Sequence, residues 1–346
     1  MWTKLGRRSS ASTKLGVRSV VDVRRYDNEP YIEYFVRLFE HKSEYGLTSE
    51  SIANLLNRET GQNYGESAYR KEYAAFSRGR KYEIDRRESG VKCRALVISD
   101  MHFPFQKPIS VFKDYIGRVD YLVLNGDILD CQAISKFTKT YRISPIEEMI
   151  GARNYLIELI ETIKPKKVFV TYGNHDIRLG AYLAKNLDTD LQELMPETAL
   201  DYIFIDGFTH YDRKTHSKIH YDAIKDVFDD VEIVYEGKWF VKIGDVVICH
   251  PRAFASNPMK TAEKAAIWFR NEGVSFNALI MAHTHRLGSY KIGATTIYEQ
   301  GAACDTKKML YGDGMLQNSQ KEGFMYLCLD ENGRNMEEHT KLIALN

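Results

Sequence analysis

Five short segments of this chain gather side chains that can bind a metal: Asp100-Met101-His102, Asn125-Gly126-Asp127-Ile128-Leu129-Asp130, Gly173-Asn174-His175-Asp176, an isolated His250, and His283-Thr284-His285. Imidazole nitrogens mixed with carboxylate and amide oxygens suit borderline cations such as Mn²⁺, Fe²⁺ or Zn²⁺ better than Mg²⁺ or Ca²⁺. A lone histidine or aspartate in such a place is ordinarily a turn residue or a satisfied polar group. Together the segments use His102, His175, His250, His283 and His285 out of ten histidines, which points to one shared site.

Each segment directly follows an apolar run. These runs are Ala95-Leu96-Val97-Ile98, Tyr121-Leu122-Val123-Leu124, Val168-Phe169-Val170, Val246-Val247-Ile248 and Ala278-Leu279-Ile280-Met281, all of which read as buried strands. Between the second and third runs the sequence predicts a helix. Ser144 caps it, Pro145 takes its first position and Glu147 completes a capping box. Met149, Leu156, Ile160 and Ile163 carry its apolar face, and Pro165 ends it. A second crossover helix is expected from about Pro258 to Asn271, with Gly273 closing it. Strand–helix–strand units of this kind predict an α/β fold with parallel strands, whose carboxyl ends open on a common crevice. The later runs Thr296-Ile297-Tyr298 and Phe324-Met325-Tyr326-Leu327 predict added strands, some antiparallel. Residues 179–237 are long for a plain connection and are expected to form a cap, with His210, His216 and His220 solvated.

The ordered series D-x-H, G-D-x-x-D, G-N-H-D, H and H-x-H resembles that of the calcineurin-like metallophosphoesterase superfamily, over roughly Cys93 to Leu329. The series departs from the family at Ala282, where glycine is usual. The resemblance implies a β-sandwich flanked by helices (α/β/β/α) and two divalent cations. It assigns Asp100, His102 and His285 to the first cation and Asn174, His250 and His283 to the second, with Asp127 bridging both. A bridging hydroxide would attack the phosphorus while the pair clamps the phosphoryl oxygens. It also implies that His175 stabilises the transition state or protonates the leaving oxygen beside Asn174. Asp130 is then its orienting partner, or else a helix or turn cap. Asp176 is expected to support its loop. Arg178 and Arg286 follow the motifs closely enough to reach phosphate oxygens, with surface salt bridges as the alternative.

Residues 93–346 form the expected catalytic domain, and the chain ahead of it has another texture. Net charge is +1 overall, yet residues 1–27 form a basic arm. It holds Lys4, Arg7, Arg8, Lys14, Arg18, Arg24 and Arg25 against Asp22 and Asp27. Such an arm can lie along phosphates or simply be a solubilising tail. Residues 28–92 hold three helical patterns, the last from about Glu66 to Arg78 and carrying Arg70 and Lys71, followed by a charged linker. That order fits a helix-turn-helix module; a bundle used for packing or oligomerisation has the same pattern. The N-terminus lacks the apolar stretch of a secretory leader, and no run is long enough for a membrane helix. Five scattered cysteines without a C-x-x-C pair read as buried thiols in a reducing cytoplasm.

The sequence therefore predicts a dinuclear metal-dependent phosphoesterase, with Mn²⁺ foremost and Fe²⁺ or Zn²⁺ as alternatives. Cys131 and Gln132 after Asp130, and Asp176 in place of glutamate, depart from the protein-phosphatase pattern and argue against a phosphoprotein substrate. The basic arm and the helical appendage favour DNA, as a phosphodiesterase or nuclease. A small-molecule or cyclic-nucleotide phosphodiesterase or phosphatase is the alternative. The intact ligand series argues against a third reading, a DNA-binding regulator with a vestigial phosphoesterase body.

Overall fold

Apolar stripes at helical spacing organise the first of the two compact units into which the chain divides, Met1–Arg87 and Glu88–Asn346. The computed structural model describes residues 23–135, 143–309 and 320–345; Arg7 and Arg8 lie outside them. Helix α1 (Tyr31–Glu40) buries Tyr34, Phe35 and Leu38, and α2 (Ser49–Thr60) buries Ile52, Ala53 and Leu56. Thr48 and Ser51 form a capping box at the start of α2, and Gly61 ends it in the left-handed conformation at φ +69°. Helix α3 (Glu66–Arg87) adds Tyr69 to the same small core.

The helix α3 runs on through the charged stretch expected to be a linker. That stretch has no apolar stripe to signal it, but ion pairs support it. Glu83 holds Arg86 and Arg87, each at 3.0 Å, and Arg80 reaches Glu40 at 2.9 Å. In the same unit Arg25 pairs with Glu59 at 2.7 Å, and the backbone carbonyl of Arg24 accepts from Arg37. Arg70 lies 3.6 Å from Glu66 on the exposed part of α3, and Lys71 is exposed beside it.

The second unit begins with β1 (Cys93–Ile98), β2 (Tyr121–Asn125), α4 (Pro145–Ile163) and β3 (Lys167–Thr171). Helix α5 (Arg178–Asn186), a hairpin of β4 (Phe208–Asp212) with β5 (Ser217–Tyr221), and β6 (Glu232–Tyr235) follow. Next come β7 (Phe240–Ile243), β8 (Val246–Cys249), α6 (Lys260–Asn271) and β9 (Ala278–Met281). The unit ends with β10 (Leu287–Ile292), β11 (Thr295–Gln300), β12 (Gly323–Leu329) and β13 (Lys341–Ala344). Among the described residues, these strands form one sheet in the order β13-β12-β1-β2-β3-β6 and a second in the order β10-β11-β9-β8-β7.

Period-two alternation explains the layers. Ala95 and Val97 of β1 face Val246 and Ile248 of β8 in the core between the sheets. Leu96 and Ile98 turn the other way, onto Leu156 and Ile160 of α4. Val247 and Cys249 of β8 turn outward onto Ala262, Ala266 and Phe269 of α6. Central strands such as β1, β8 and β9 are thus apolar on both faces, which is why their sequences read as unbroken runs. The result is the helix–sheet–sheet–helix sandwich expected from the sequence. Pairing is parallel for β1–β2, β2–β3, β8–β9 and β9–β11, and antiparallel where β12 joins β1 and β7 joins β8.

The capping box of α4 forms: the Ser144 hydroxyl accepts from the Glu147 amide, and the Glu147 carboxylate accepts from the Ser144 amide. Losing such a cap costs roughly 0.5–2 kcal/mol. Residues 179–237 are in part woven into the body. Leu200, Ile203, Phe204, Phe208 and Ile224 are buried with α4 in the main core, and β6 extends the first sheet. His210, His216 and His220 sit on the hairpin, the last two exposed. Cys131, Cys249, Cys304 and Cys328 are buried free thiols, and Cys93 is half-buried. Among the described residues, no helix is long and apolar enough to cross a membrane.

Candidate metal centre

Asp100 and His102 follow β1, Asp127 follows β2, Asn174 follows β3, His250 follows β8, and His283 and His285 follow β9. All are buried or nearly so; Asp100, His102 and His250 are 0% exposed. Their backbones are held in a costly conformation. Asp100, His102, Asp127, His283 and His285 all have positive φ, from +45° to +84°. Such strain costs on the order of 1–3 kcal/mol per residue and gathers at functional sites. Two glycines allow the segments to approach. A β-carbon on Gly126 would sit 2.5 Å from His250 Nδ1, and one on Gly173 would sit 2.1 Å from Asp127 Oδ1. Ala282, where the family usually has glycine, is buried, and its amide donates to the Cys249 carbonyl.

The side chains converge in overlapping groups. Ligand atoms of Asp100, His102 and His285 lie within 4.8 Å of one another, and so do those of Asp127, His250 and His283. His102, Asp127 and His175 form a third such group between them. His285 Nε2 is 3.2 Å from Asp100 Oδ1, and His250 Nε2 is 3.2 Å from Asp127 Oδ2. Among the described residues, Asp100 Oδ1, Asn174 Oδ1, His250 Nε2 and His283 Nε2 are buried without a hydrogen bond of proper geometry. An orphaned buried polar atom costs about 1–3 kcal/mol, and Asp100, His250 and His283 belong to the converging groups. The donor set therefore fits divalent cations.

Charge supports the same fit. Burial alone would raise the Asp100 carboxyl, but the imidazoles of His285 and His250 outweigh it and hold it at about 2. Burial would lower His250, yet Asp127 and Asp100 lift it to about 10. Burial and the neighbouring His250 push His283 down to about 4, leaving it neutral with a free lone pair. A cation held here would take the place of the proton that these carboxylates favour on His250.

Around these donors lies a supporting set. His250 Nδ1 donates to the Asn125 carbonyl at 2.8 Å, which leaves Nε2 as the ligand atom. The His175 amide donates to Asp127 Oδ1 at 2.7 Å. Asp130 Oδ1 lies 3.1 Å from His175 Nδ1 and 3.4 Å from His102 Nδ1, and His175 Nδ1 donates to the Asp130 backbone carbonyl at 3.0 Å. Arg178 donates to the Asp130 carbonyl at 2.8 Å and sits 2.9 Å from His175 Nε2. The guanidinium of Arg286 donates to the Ser256 and Asn257 carbonyls and stacks over Phe254 at 5.6 Å. Asp176 accepts from the amides of Ile128, Leu129 and Gly173, clamping the second and third motif loops together.

Glu148 was not anticipated. It lies on the buried face of α4, and its Oε1 accepts from the amides of Asp130 at 2.8 Å and Cys131 at 2.6 Å. In sequence it reads as one more first-turn acid beside Glu147, and only its burial sets it apart. Burial raises its carboxyl to about 8. A raised folded-state value means that its contribution to stability is complete below about 4.5 and is lost as pH rises through about 8. Glu148→Gln stays neutral and keeps an acceptor for both amides. It is expected to match the parent at pH 5 and to exceed it at pH 9, by an amount on the order of a few kcal/mol. Denaturant unfolding at the two pH values checks this; equal destabilisation at both would contradict it.

The family described as calcineurin-like phosphoesterase matches residues 93–287 of this 346-residue chain. The YonJ N-terminal domain family matches residues 19–87. Over 66 residues the chain is 39% identical to the SPbeta prophage-derived uncharacterized protein YonJ of Bacillus subtilis (strain 168). That match spans 19% of this chain and only 16% of the relative. A structure described as a novel archaeal phosphodiesterase aligns at 16% identity, over 73% of this chain and 99% of its own, with a TM-score of 0.34. Zinc-complexed Vps29 from Entamoeba histolytica aligns at 15% identity, over 73% of this chain and 98% of its own, also at 0.34. With its phosphoesterase match covering more than half of its length, the chain belongs to the calcineurin-like phosphoesterase family.

Proposed function

We propose that this chain is a dinuclear phosphodiesterase acting on DNA. The observation that supports the metal reading is the convergence of buried His and Asp side chains from the strand ends into overlapping groups, with several of their atoms lacking a hydrogen bond. Asp100, His102 and His285 would hold one cation and Asn174, His250 and His283 the other, with Asp127 available to both. Mn²⁺ suits this mixed donor set, with Fe²⁺ and Zn²⁺ next. When bound, the cations supply Lewis-acid activation of water and neutralise charge on the phosphoryl oxygens.

The chain's own residues do the rest. Asp130 holds His175 Nδ1 through its carboxylate and backbone carbonyl, which leaves Nε2 as the nitrogen that serves the leaving oxygen. Asp176 and Glu148 keep the two loops in register by tying down five backbone amides. Arg178, already against His175 Nε2, turns its second donor to the phosphate.

DNA is favoured by the basic arm ahead of the helical unit, with Arg7, Arg8, Arg24 and Arg25 along phosphates and Arg70 and Lys71 on exposed α3. A prophage-derived relative of that unit fits the same setting. The test is removal of residues 1–87, which keeps Glu88 and its bonds to Arg94 and Tyr326. The truncated chain is expected to cleave bis-p-nitrophenyl phosphate at a near-normal rate. DNA cleavage should fall and lose much of its salt dependence, because the arm no longer releases counterions. Equal DNA processing by both chains across a salt series would discard DNA in favour of a small phosphodiester.

A further inference from the structure

Beside the metal centre lies a cavity of about 400 Å³, within the roughly 300–1,000 Å³ range of small-ligand sites. Its lining includes the aromatic rings of Tyr172, Trp239 and Trp268 and the cationic side chains of Arg252 and Lys264. The rings of Trp239 and Trp268 are 5.1 Å apart and tilted by 58°. Trp268 is 43% exposed, high for a residue that usually buries its ring. Arg252 and Lys264 are exposed and form no ion pair among the described residues. The cavity shares its backbone with the centre. Tyr172 directly precedes the Gly173-Asn174-His175 loop, Arg252 lies two residues after His250, and the His250 amide donates to the Trp239 carbonyl at 2.8 Å.

Packing alone does not require two exposed cations over a half-open indole wall. Planar π-faces with adjacent unpaired cations match a nucleobase and its phosphate, because bases stack on aromatic rings whatever their sequence and Arg and Lys take phosphate oxygens. We infer that this pocket binds a nucleotide unit, with the base against Trp239 and Trp268 and a phosphate on Arg252 and Lys264. The inference deepens the phosphodiesterase reading by giving the substrate a base-recognising subsite, and it rests on that reading for its catalytic meaning.

The test uses the intact chain in EDTA, so that binding does not run through the metal centre, and follows tryptophan emission from the pocket. Deoxyadenosine monophosphate is expected to quench saturably, whereas deoxyribose 5-phosphate should bind at least about 10-fold more weakly. Trp268→Ala, made in a Trp2→Phe background so that Trp239 is the remaining reporter, should weaken deoxyadenosine monophosphate about 5- to 100-fold, the range for one lost stack. Trp268→Phe should restore most of the binding, which a general packing defect would not allow. Arg252→Ala should weaken both ligands alike. Tighter binding of a short oligodeoxynucleotide assigns the subsite to a strand, and equal binding assigns it to a free nucleotide. Equal affinity for the two monophosphates, or an unchanged Trp268→Ala, would overturn the inference. A parent that binds deoxyadenosine monophosphate but hydrolyses no phosphodiester with Mn²⁺ would instead overturn the catalytic reading alone.

Discussion

Asp127→Asn is expected to yield a folded chain whose phosphodiester hydrolysis has fallen by more than about 10³-fold, because both proposed cations depend on this carboxylate. The substitution is chosen to spare the fold. Asp127 has φ +50°, a conformation that asparagine tolerates and most other residues do not. The side-chain oxygen that accepts from the His175 amide is also kept. What changes is the charge facing His250, His102 and His175. Metal analysis should therefore show loss of both cations, with an unfolding midpoint near that of the metal-free parent. A variant that keeps two cations and near-parental turnover would show that Asp127 is not the shared ligand.

His175→Ala separates binding from chemistry. If His175 is the proton donor, the variant should keep its metal and lose roughly 10²–10⁴-fold in turnover. The structure makes this test sharper than the sequence did. Ligand atoms of His175 come within 4.8 Å of those of His102 and Asp127, close enough for a coordinating role to be the rival account. Asp130→Asn should give a smaller loss in the same direction, since Asp130 acts through the rings of both His175 and His102. A His175→Ala protein that has lost a cation would move His175 into the coordination shell.

The polar segments that converge were legible in sequence because central strands such as β1 are buried on both faces. Leu96 and Ile98 turn to α4 while Ala95 and Val97 turn to the second sheet. Runs such as Ala95–Ile98 therefore announce strands, and the first polar residues after them mark the strand ends. The capping box at Ser144 and Glu147 was legible for a local reason: both partners lie within four residues. Long-range support was not legible. Asp176 acts on Ile128 and Leu129, and Glu148 acts on Asp130 and Cys131, across distances that no periodicity encodes. The left-handed backbone at Asp100, His102, Asp127, His283 and His285 was also hidden, since only tertiary contacts hold such residues there. The charged part of α3 went unread because its support is ion pairing rather than an apolar stripe.

The most direct measurement titrates the metal-free intact chain with Mn²⁺ while following bound metal and bis-p-nitrophenyl phosphate hydrolysis together. The account predicts no turnover without cation and a plateau at about two equivalents per chain. Turnover that persists in excess chelator, or that reaches its plateau with the donor cluster empty, would contradict it.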